Sequence, residues 1–419
     1  MISNGWKEVS LEDVVDALGD GLHGTPKYKE EGDYYFINGN NLDGNILISE
    51  KTKKVGHEEF LKYKKDLNDR TILVSINGTL GKVAVYNGEK VVLGKSACYF
   101  NVKKNYSKQF VKYVMYSKGF KDYLNTHSTG TTIKNMGLKQ MRAFKFHIPQ
   151  LHEQKAIANI LSSLDEKIEV NNQINKKLEE MAQAVFKQWF VDFEFPNEEG
   201  MPYKSSGGAM VESELGMIPE GWEVGVINDI GIVTGGGTPS KKREDYYTDK
   251  GIPWITPKDL SINKNRYINN GVTDITEEGL KNSSAKLMPE GTVLFSSRAP
   301  IGYMAIAGNP LSTNQGFKSV IPYSEYGTEF VYQLLSINKN IIENHASGST
   351  FKEISGGVLK QIKILLPSKE LIAKFNSVSE SFGLTIKNHE EQISKLTMIR
   401  DTLLPKLMSG EIRVPIDKE

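Results

Sequence analysis

The chain alternates between two patterns of hydrophobic and polar positions, and each pattern occurs twice. Short apolar runs broken by glycine, asparagine and proline, such as TILVSINGTLGKVAVYNGEKVVLG from Thr71, predict strands joined by tight turns. After Pro149, and again after Pro367, apolar residues recur every three or four positions over about 40 residues. This spacing predicts two long helices, each roughly 60 Å long at the usual helical rise.

Each predicted helix carries an apolar stripe that it cannot bury alone. The first stripe comprises Ile157, Leu161, Leu164, Ile168, Ile174, Leu178, Met181 and Val185, and the second comprises Phe375, Val378, Phe382, Ile386, His389, Ile393, Leu396, Ile399 and Leu403. We expect the stripes to pack against each other, with Asn171 and His389 as polar positions of the seam. Because the second helix must run back toward the first domain to make this contact, we expect the helices to be antiparallel.

The segments of the first half have counterparts in the second. STGTTIKNMGLKQMRAFKFHIP (128–149) matches ASGSTFKEISGGVLKQIKILLP (346–367), and ILVSINGTLGKVAV from Ile72 matches VLFSSRAPIGYMAI from Val293. A tandem repeat of about 218 residues is a domain with an appendage rather than a solenoid unit. We therefore predict an α+β protein, in which two similar mixed α/β domains are joined by two long antiparallel coiled-coil helices in a pseudo-two-fold repeat.

The domain boundaries follow from the changes of pattern. The predicted parts are a first domain at 1–149 (head 1), a helix at 150–194, a linker at 195–220, a second domain at 221–367 (head 2), a second helix at 368–409 and a tail at 410–419.

Charge is distributed unevenly along the chain, although the net charge of the 419 residues is only +1. Residues 1–150 carry 23 Lys and Arg against 16 Asp and Glu, whereas residues 151–215 carry 6 against 12. The basic excess of head 1 favours contact with a polyanion.

Composition and the lack of long apolar runs indicate where in the cell the protein is located. The sequence contains no apolar run of the roughly 18 residues that a membrane span needs, and no apolar signal core follows Met1. Cys98 is the only cysteine, so the chain can form neither an intrachain disulfide nor a thiolate zinc cluster. We expect a cytoplasmic protein.

Two similar heads held apart by a rigid spacer can bind a linear polymer whose features recur at a fixed distance. DNA is such a polymer, with a helical repeat of roughly 34–36 Å per turn. We expect segments 23–29, 76–82 and 128–134 and their counterparts 235–243, 296–302 and 346–352 at the surface. The candidate phosphate contacts are Lys27, Lys82, Lys134, Lys241, Lys242, Arg243 and Lys352. The other candidate DNA contacts are His23, Thr25, Asn77, Thr131, Thr132, Arg298, Asn314, Gln315, Ser349 and Thr350.

Arg298 is the strongest candidate for a base contact, because its forked guanidinium can pair with guanine O6 and N7 together. Arg298 lies in the turn of head 2 that corresponds to the turn of Asn77 in head 1. Because these two side chains differ, we expect the two heads to recognise different half-sites.

Motifs of DNA-modifying enzymes are missing from the sequence. No Asn or Asp precedes two prolines and an aromatic residue, and GGGTPSKK (235–242) fails the spacing of a phosphate loop, so we interpret it as a mobile loop. His127 and His345 are the only histidines at matched positions. We predict no catalytic residue and no metal ligand. The remaining alternative to a DNA-binding protein is a two-headed scaffold that binds only proteins.

Three blocks outside the heads carry a family resemblance. FKQWFVDFEFP follows the first helix, KSSGGAMVESELGMIPEGWEV leads into head 2, and RDTLLPKLMSGEIRV ends the second helix. With this order of parts, the whole chain strongly resembles the specificity subunit of type I restriction-modification enzymes.

The resemblance implies a function and a set of partners. Each head would be a target recognition domain for one half of a bipartite, asymmetric double-stranded DNA sequence, and the chain itself would be non-catalytic and without a cofactor. Two adenine methyltransferase subunits would dock on it and bind S-adenosylmethionine, and two motor-nuclease restriction subunits can join the complex.

For the methyltransferase contact, the resemblance points to the helices and to the aromatic block that follows the first one. The candidate residues are Phe186, Trp189, Phe190, Phe193, Phe195, Leu403 and Leu404. So many aromatic rings exceed what one helix can bury against a single partner helix, which independently favours a partner protein.

Overall fold

The structure, a computed structural model, describes residues 5–348 and 352–415 and divides into two compact units. Unit 1 comprises Met1–Ile168 with Lys395–Glu419, and unit 2 comprises Glu169–Ser394. Each unit therefore contains one head together with parts of both long helices. The predicted contacts Ser349 and Thr350 lie outside the described residues.

Head 1 consists of short strands and short helices. Its strands are β1 Lys7–Ser10, β2 Val15–Asp20, β3 Tyr28–Lys29, β4 Tyr34–Ile37, β5 Leu42–Asp43, β6 Asn45–Ile46, β7 Lys54–Val55, β8 Thr71–Ser75, β9 Val83–Val85, β10 Val91–Leu93, β11 Ala97–Val102 and β12 Lys145–Ile148. Its helices are α1 Leu11–Val14, α2 His57–Tyr63, α3 Lys108–Tyr116, α4 Lys118–His127 and α5 Leu138–Ala143, with a 3-10 turn at Gly39–Asn41.

The first long helix, α6, spans Leu151–Phe190, and the linker after it forms a hairpin of β13 Met210–Ser213 and β14 Gly216–Pro219. The strands of head 2 are β15 Glu223–Val226, β16 Gly231–Gly235, β17 Tyr247–Thr248, β18 Ile252–Ile255, β19 Tyr267–Ile268, β20 Thr273–Ile275, β21 Val293–Ser297, β22 Ile301–Ala307, β23 Ser312–Thr313, β24 Lys318–Pro322 and β25 Lys363–Leu366. Its helices are α7 Pro257–Ile262, α8 Glu277–Lys281, α9 Gly327–Ile337, α10 Lys339–Asn344 and α11 Gly356–Lys360, with 3-10 turns at Ile227–Asp229 and Glu244–Tyr246, and the second long helix, α12, is Lys369–Met408.

The sheets of the two heads share their strand order, apart from β19 in head 2 and the β5-β6 pair in head 1. In head 1, β1 pairs with β12, an antiparallel sheet has the order β2-β11-β8-β9, and a mixed sheet has the order β10-β4-β7-β3. In head 2, β15 pairs with β25, β16-β24-β21-β22 continues into β19, and the mixed sheet is β23-β18-β20-β17. The repeat seen in the sequence is therefore a repeat of the fold.

Local capping at the start of each head follows the same design. Ser10 caps α1, and the Asp13 carboxylate accepts a hydrogen bond from the Ser10 N–H at 2.8 Å. In head 2, Asp229 accepts a hydrogen bond from the Val226 N–H, also at 2.8 Å. A side-chain oxygen three residues beyond the cap satisfies a backbone donor that the short helix would leave unpaired.

Within unit 1, the start of α6 packs antiparallel to the end of α12. Arg400 donates to Asp165 at 2.9 Å, and Arg413 beyond α12 forms an ion pair with Glu153 at 2.8 Å. Leu161 and Leu407 are buried in the same core as the strands of head 1.

Within unit 2, the later part of α6 packs antiparallel to the start of α12. Asn171 donates to Gln392 at 2.7 Å, and the His389 ring donates to the Asn175 side-chain oxygen at 2.9 Å. Asn171 is fully buried and its Oδ1 has no hydrogen-bond partner in the described part of the chain. Asn171 and His389 are thus seam positions, as the spacing predicts.

The predicted apolar seam is wrong in part of each helix. Ile174 and Met181 are 38% and 50% exposed on α6, and Val378 and Ile399 are exposed on α12. After Ile168 the buried face of α6 passes instead through Asn171, Ala182 and Phe186. A stripe that repeats every 3.5 residues drifts around a helix of 3.6 residues per turn, so a buried face cannot be extrapolated over eleven turns.

A buried arginine in unit 2 contacts both long helices and head 2. Arg266, 6% exposed, forms ion pairs with Glu179 on α6 and Glu329 on α9, and its guanidinium lies 4.5 Å from the centre of the Tyr332 ring. Glu390 on α12 accepts the backbone N–H groups of Arg266 at 2.6 Å and of the next residue at 3.0 Å. The Arg266 guanidinium therefore pairs with carboxylates from α6 and α9, while its backbone N–H contacts Glu390 of α12.

We predict that Asn171→Leu stabilises the protein by about 1 kcal/mol. The change removes a buried amide oxygen without a partner, and the exposed Gln392 amide can return to water. The midpoint temperature of thermal unfolding should rise by about 2 °C. Asn172→Leu, at an exposed neighbouring position, is the matched control and should change it little. A drop of several degrees for Asn171→Leu would contradict the seam assignment.

We also predict a pH-dependent stability that originates at Glu390. Burial raises the pKa of its carboxyl to about 7, against the hydrogen bonds from two backbone N–H groups and the attraction of Arg266. The folded state thus keeps a proton that the unfolded chain loses near pH 4.5, so this stabilisation is present at low pH and is lost as pH rises through about 7. Glu179, Tyr267 and Tyr332 face the same cluster.

The measurement is the unfolding free energy of the protein from about pH 5 to pH 8. In the wild type the unfolding free energy should fall as pH rises, and Glu390 should contribute nearly one proton to the slope of this change. Glu390→Gln should lack that contribution to the slope. Glu391→Gln, at an exposed neighbouring carboxylate, should behave as the wild type does. Equal slopes for all three proteins would contradict the shift at Glu390.

Candidate nucleic-acid interface

In head 1 the loop after β8 is joined to the loop before α5. Asn77 and Asn135 form an isolated antiparallel bridge, and the Asn77 amide donates to the Asn135 side-chain oxygen at 3.1 Å. Gly130 between them has φ +92°, and a Cβ there would lie 2.2 Å from the Ile133 carbonyl oxygen. Only glycine fits this turn, which explains the TG of the repeated motif.

A polar pocket of about 500 Å³ opens beside this bridge. It is lined by Asp20, His23, Asn77, Lys95 and Asn135, together with apolar residues. His23 Nε2 lies 2.6 Å from the Asp20 carboxylate. His23 and Asn77 were predicted from sequence, whereas Asp20, Lys95 and Asn135 were not. Lys95 and Asn135 are distant from His23 in the chain, and Asp20 lies at the end of β2 rather than in a predicted surface loop.

In head 2 the matched positions carry an ion pair. Arg298 and Glu353 form the equivalent bridge, with 3.4 Å between the guanidinium and the carboxylate, and Lys318 lies 3.5 Å from the same carboxylate. Arg298 is 38% exposed and Glu353 is 37% exposed. The spacing between Gly348, which has φ +118°, and Glu353 equals that between Gly130 and Asn135. The two heads thus present different side chains on one backbone arrangement.

The surface placement of segment 296–302 is correct only for its central turn. Ser296 and Ser297 are fully buried at the end of β21, and Ile301 is buried at the start of β22. Residues 298–300 form the accessible turn, since strand pairing takes up the rest.

The start of segment 235–243, predicted to be a mobile loop, is anchored. The Gly237 N–H donates to the Thr313 carbonyl at 2.9 Å, and the Gly237 carbonyl accepts from the Trp254 ring N–H at 2.9 Å. A Cβ at Gly237 would lie 2.3 Å from the Ala285 nitrogen. The glycine is required by close packing rather than by a phosphate ligand.

Most of the remaining DNA-contact candidates are accessible. The exposed residues are Thr25, Lys27, Thr131, Thr132, Lys134, Lys241, Lys242, Arg243, Gln315 and Lys352, and the half-buried ones are Lys82 and Asn314.

Several of these exposed side chains already have partners within the chain. Arg243 forms two hydrogen bonds with Asp245, at 2.6 and 2.8 Å, and Lys134 donates to Asn125 at 3.1 Å. Gln315 accepts from the Thr238 hydroxyl. DNA contact by these residues stays a prediction.

The physical argument for a partner at the aromatic block is wrong. Phe186 and Phe190 are 3% and 7% exposed, because their rings pack on Phe330 and Phe375 in the core of unit 2. Trp189, Phe193 and Phe195 pack against the same core. In unit 1, Leu403 and Leu404 lie against the core that contains Leu407. The head supplies the apolar surface that we assigned to another protein.

The two matched histidines have structural roles. The Nδ1 of His127 donates to the Tyr123 carbonyl at 3.1 Å, and that of His345 donates to the Ile341 carbonyl at 2.8 Å. Each ring therefore satisfies a carbonyl one turn earlier in a helix. Among residues 5–348 and 352–415, no group of three His, Cys, Asp or Glu is placed to hold a metal ion, and no helix is long and apolar enough to cross a membrane.

A duplicated α+β head with polar loop tips, attached to long paired helices, is the architecture of a two-domain recognition protein. Residues 3–180 and 219–397 match the family described as "Type I restriction modification DNA specificity domain". Together these matches cover most of the chain. The protein belongs to this family and contains two copies of the domain in tandem.

Individual relatives agree with this assignment. The chain is 27% identical over 433 residues to the putative type I restriction enzyme MjaX specificity subunit of Methanocaldococcus jannaschii, covering 99% of this chain and 95% of the relative. It is 29% identical to the HindI specificity subunit of Haemophilus influenzae, covering 68% and 72%. The MjaIX specificity subunit of M. jannaschii is 44% identical over 183 residues, a match that spans only 43% of this chain and 42% of that protein.

A solved structure has the same fold. The crystal structure of a type I restriction-modification system S subunit from M. genitalium superposes with a TM-score of 0.63 at 19% identity, covering 97% of each chain. These comparisons confirm the fold class, the family resemblance and the assignment to non-catalytic DNA-specificity subunits. They also favour DNA recognition over the protein-only scaffold.

Proposed function

We propose that the chain recognises a bipartite, asymmetric DNA sequence, with one half-site for each head, and positions adenine methyltransferase and restriction subunits on it. The observation that carries this proposal is the matched pair of loop bridges, Asn77 with Asn135 and Arg298 with Glu353. A shared backbone with different hydrogen-bonding groups is what two different half-sites require.

The chemistry of the two bridges suggests which bases they contact. An asparagine amide can pair with adenine N6 and N7, and an arginine can pair with guanine O6 and N7. Head 1 presents two amides, whereas head 2 presents a guanidinium held by a carboxylate. We therefore assign an A·T pair to the first half-site and a G·C pair to the second.

The exposed lysines near these bridges are proposed to hold the DNA backbone. Lys134 follows the glycine turn of head 1, and Lys352 is its counterpart in head 2. Such contacts fix orientation without distinguishing sequence, so they supply affinity that falls with salt.

The methyltransferase contact is proposed to lie on apolar residues that α6 leaves exposed. Val170, Ile174 and Met181 are 47%, 38% and 50% exposed, and their spacings of four and seven residues place them on one helix face. In the aromatic block Phe186 and Phe190 are buried in unit 2, and Trp189, Phe193 and Phe195 are half-buried against the same core, so the block offers less free apolar surface than α6 does. The relatives are specificity subunits of restriction enzymes, which agrees with assembly into a larger enzyme.

We predict that Arg298→Ala loses discrimination at one base pair of the second half-site by about 1–3 kcal/mol. The complex with methyltransferase subunits would be titrated with duplexes that carry single substitutions in a target selected from a random library. Lys352→Ala is the control: it should weaken binding to all duplexes equally. Uniform weakening by Arg298→Ala would show that Arg298 contacts no base.

We predict that Met181→Asp weakens association with the methyltransferase subunits at least tenfold, because it places a charge in an apolar contact. Gln183→Asp, at an exposed polar position two residues away, should have little effect. Analytical ultracentrifugation of the mixed subunits gives both affinities. Unchanged association of the Met181 variant would place the contact elsewhere.

A further inference from the structure

A second pocket in head 1 lies where β4 meets the turn before β7. Its volume is about 310 Å³, and its lining includes Tyr28, Asn38, Asn41, Lys51 and Lys53. The Lys53 ammonium lies 4.4 Å from the centre of the Tyr28 ring. The lining contains no carboxylate among the described residues, so the two ammonium groups give it a positive potential.

The polar groups of this pocket are held in place by the backbone around them. Asn38 Oδ1 accepts from the Ser96 hydroxyl at 3.1 Å, which leaves the Asn38 amide NH₂ as the donor for a ligand. Asn41 Oδ1 accepts the Asn38 N–H at 3.0 Å, and the Asn41 amide donates to the Leu47 carbonyl at 3.1 Å. The pocket therefore combines fixed amides with flexible cations, a combination suited to a phosphate group.

One hydrogen bond and one peptide link connect this pocket to the polar pocket at the Asn77 bridge. Ser96, which bonds to Asn38, directly follows Lys95, and Lys95 lines the polar pocket. A DNA strand held at the polar pocket would thus have phosphates close to the second one.

Strand register shows that head 2 lacks the cations at the corresponding positions. Tyr35 pairs with Lys54 in head 1, and its counterpart Pro253 pairs with Asp274 in head 2. Lys54 therefore corresponds to Asp274. By the same register, Lys53 corresponds to Thr273 and Lys51 to Gly271, and neither residue of head 2 carries a positive charge.

The amide at the base of the pocket is also replaced in head 2. Asn41 corresponds to Asp259, whose buried carboxylate accepts the Thr256 N–H at 2.7 Å and the Val272 N–H at 3.1 Å. A carboxylate repels a phosphate, so the anion-binding features are confined to head 1.

We propose that this pocket of head 1 binds a backbone phosphodiester of the target DNA through Lys51, Lys53 and the Asn38 amide, and that head 2 has no equivalent contact. The proposal rests on the proposed DNA-binding function and adds to it an anchor on one side only. Head 1 would then hold DNA more tightly and with a steeper salt dependence than head 2.

The test is the salt dependence of DNA binding by the full-length chain in complex with its methyltransferase subunits. In Lys51→Ala/Lys53→Ala, the slope of log K against log salt should fall in magnitude by about 0.9, because the pocket contacts one phosphate and each phosphate contact contributes about that much. Affinity should fall equally for all sequences. Lys51→Arg/Lys53→Arg should keep the slope.

The matched control is Lys62→Ala/Lys64→Ala, which removes two exposed lysines at and beyond the end of α2 and should keep the wild-type slope. An equal loss of slope in this control would overturn the proposal in favour of a general charge effect. If the wild-type complex binds its target and the Lys51/Lys53 alanine variant has the same slope, the proposed phosphate contact is wrong, while the proposed DNA-binding function stands.

Two further results distinguish other failures. Absence of sequence-dependent binding by the wild-type complex would overturn the proposed function and the pocket with it. Lys51/Lys53-dependent broadening of the ³¹P signal of inorganic phosphate, together with an unchanged DNA slope, would assign the pocket to a free anion instead of DNA.

Discussion

Neither 40-residue helix can bury its apolar face alone, and the rest of the structure depends on how that face is covered. In unit 1 the helix ends join the core of head 1 through Leu161 and Leu407, and in unit 2 Phe186 and Phe375 join the core of head 2. Each head is therefore held by apolar packing that continues from its sheets into both helices. This packing ties the orientation of each head to the helix segments in its own unit.

The polar groups at these junctions fix register rather than add stability. Asn171 and His389 occupy buried or half-buried seam positions that apolar residues would fill more favourably. The side chain and backbone of Arg266 together contact carboxylates from three helices. A buried ion or amide that is displaced by one helical turn loses its partners at a cost of several kcal/mol. One alignment of the helices is thereby favoured over its neighbours.

The repeat, the long helices and the turn positions Asn77 and Arg298 could be predicted from sequence, because each is a local pattern or a match between copies. Their partners Asn135 and Glu353 could not be predicted, since the bridges join residues more than 50 positions apart. Phe186 was misjudged because helix periodicity says nothing about a core supplied by another domain. The prediction that Ile174 is a seam position is wrong because small angular errors accumulate along a helix.

The most direct test of the account is the pattern of methylated adenines in DNA from cells that carry this gene with its methyltransferase, compared with cells that lack only this gene. The account predicts one two-part motif with a fixed gap and unequal halves, which disappears on deletion. An unchanged methylation pattern, with the methyltransferase active and this protein expressed in the undeleted cells, would contradict the claim that the two heads specify the target.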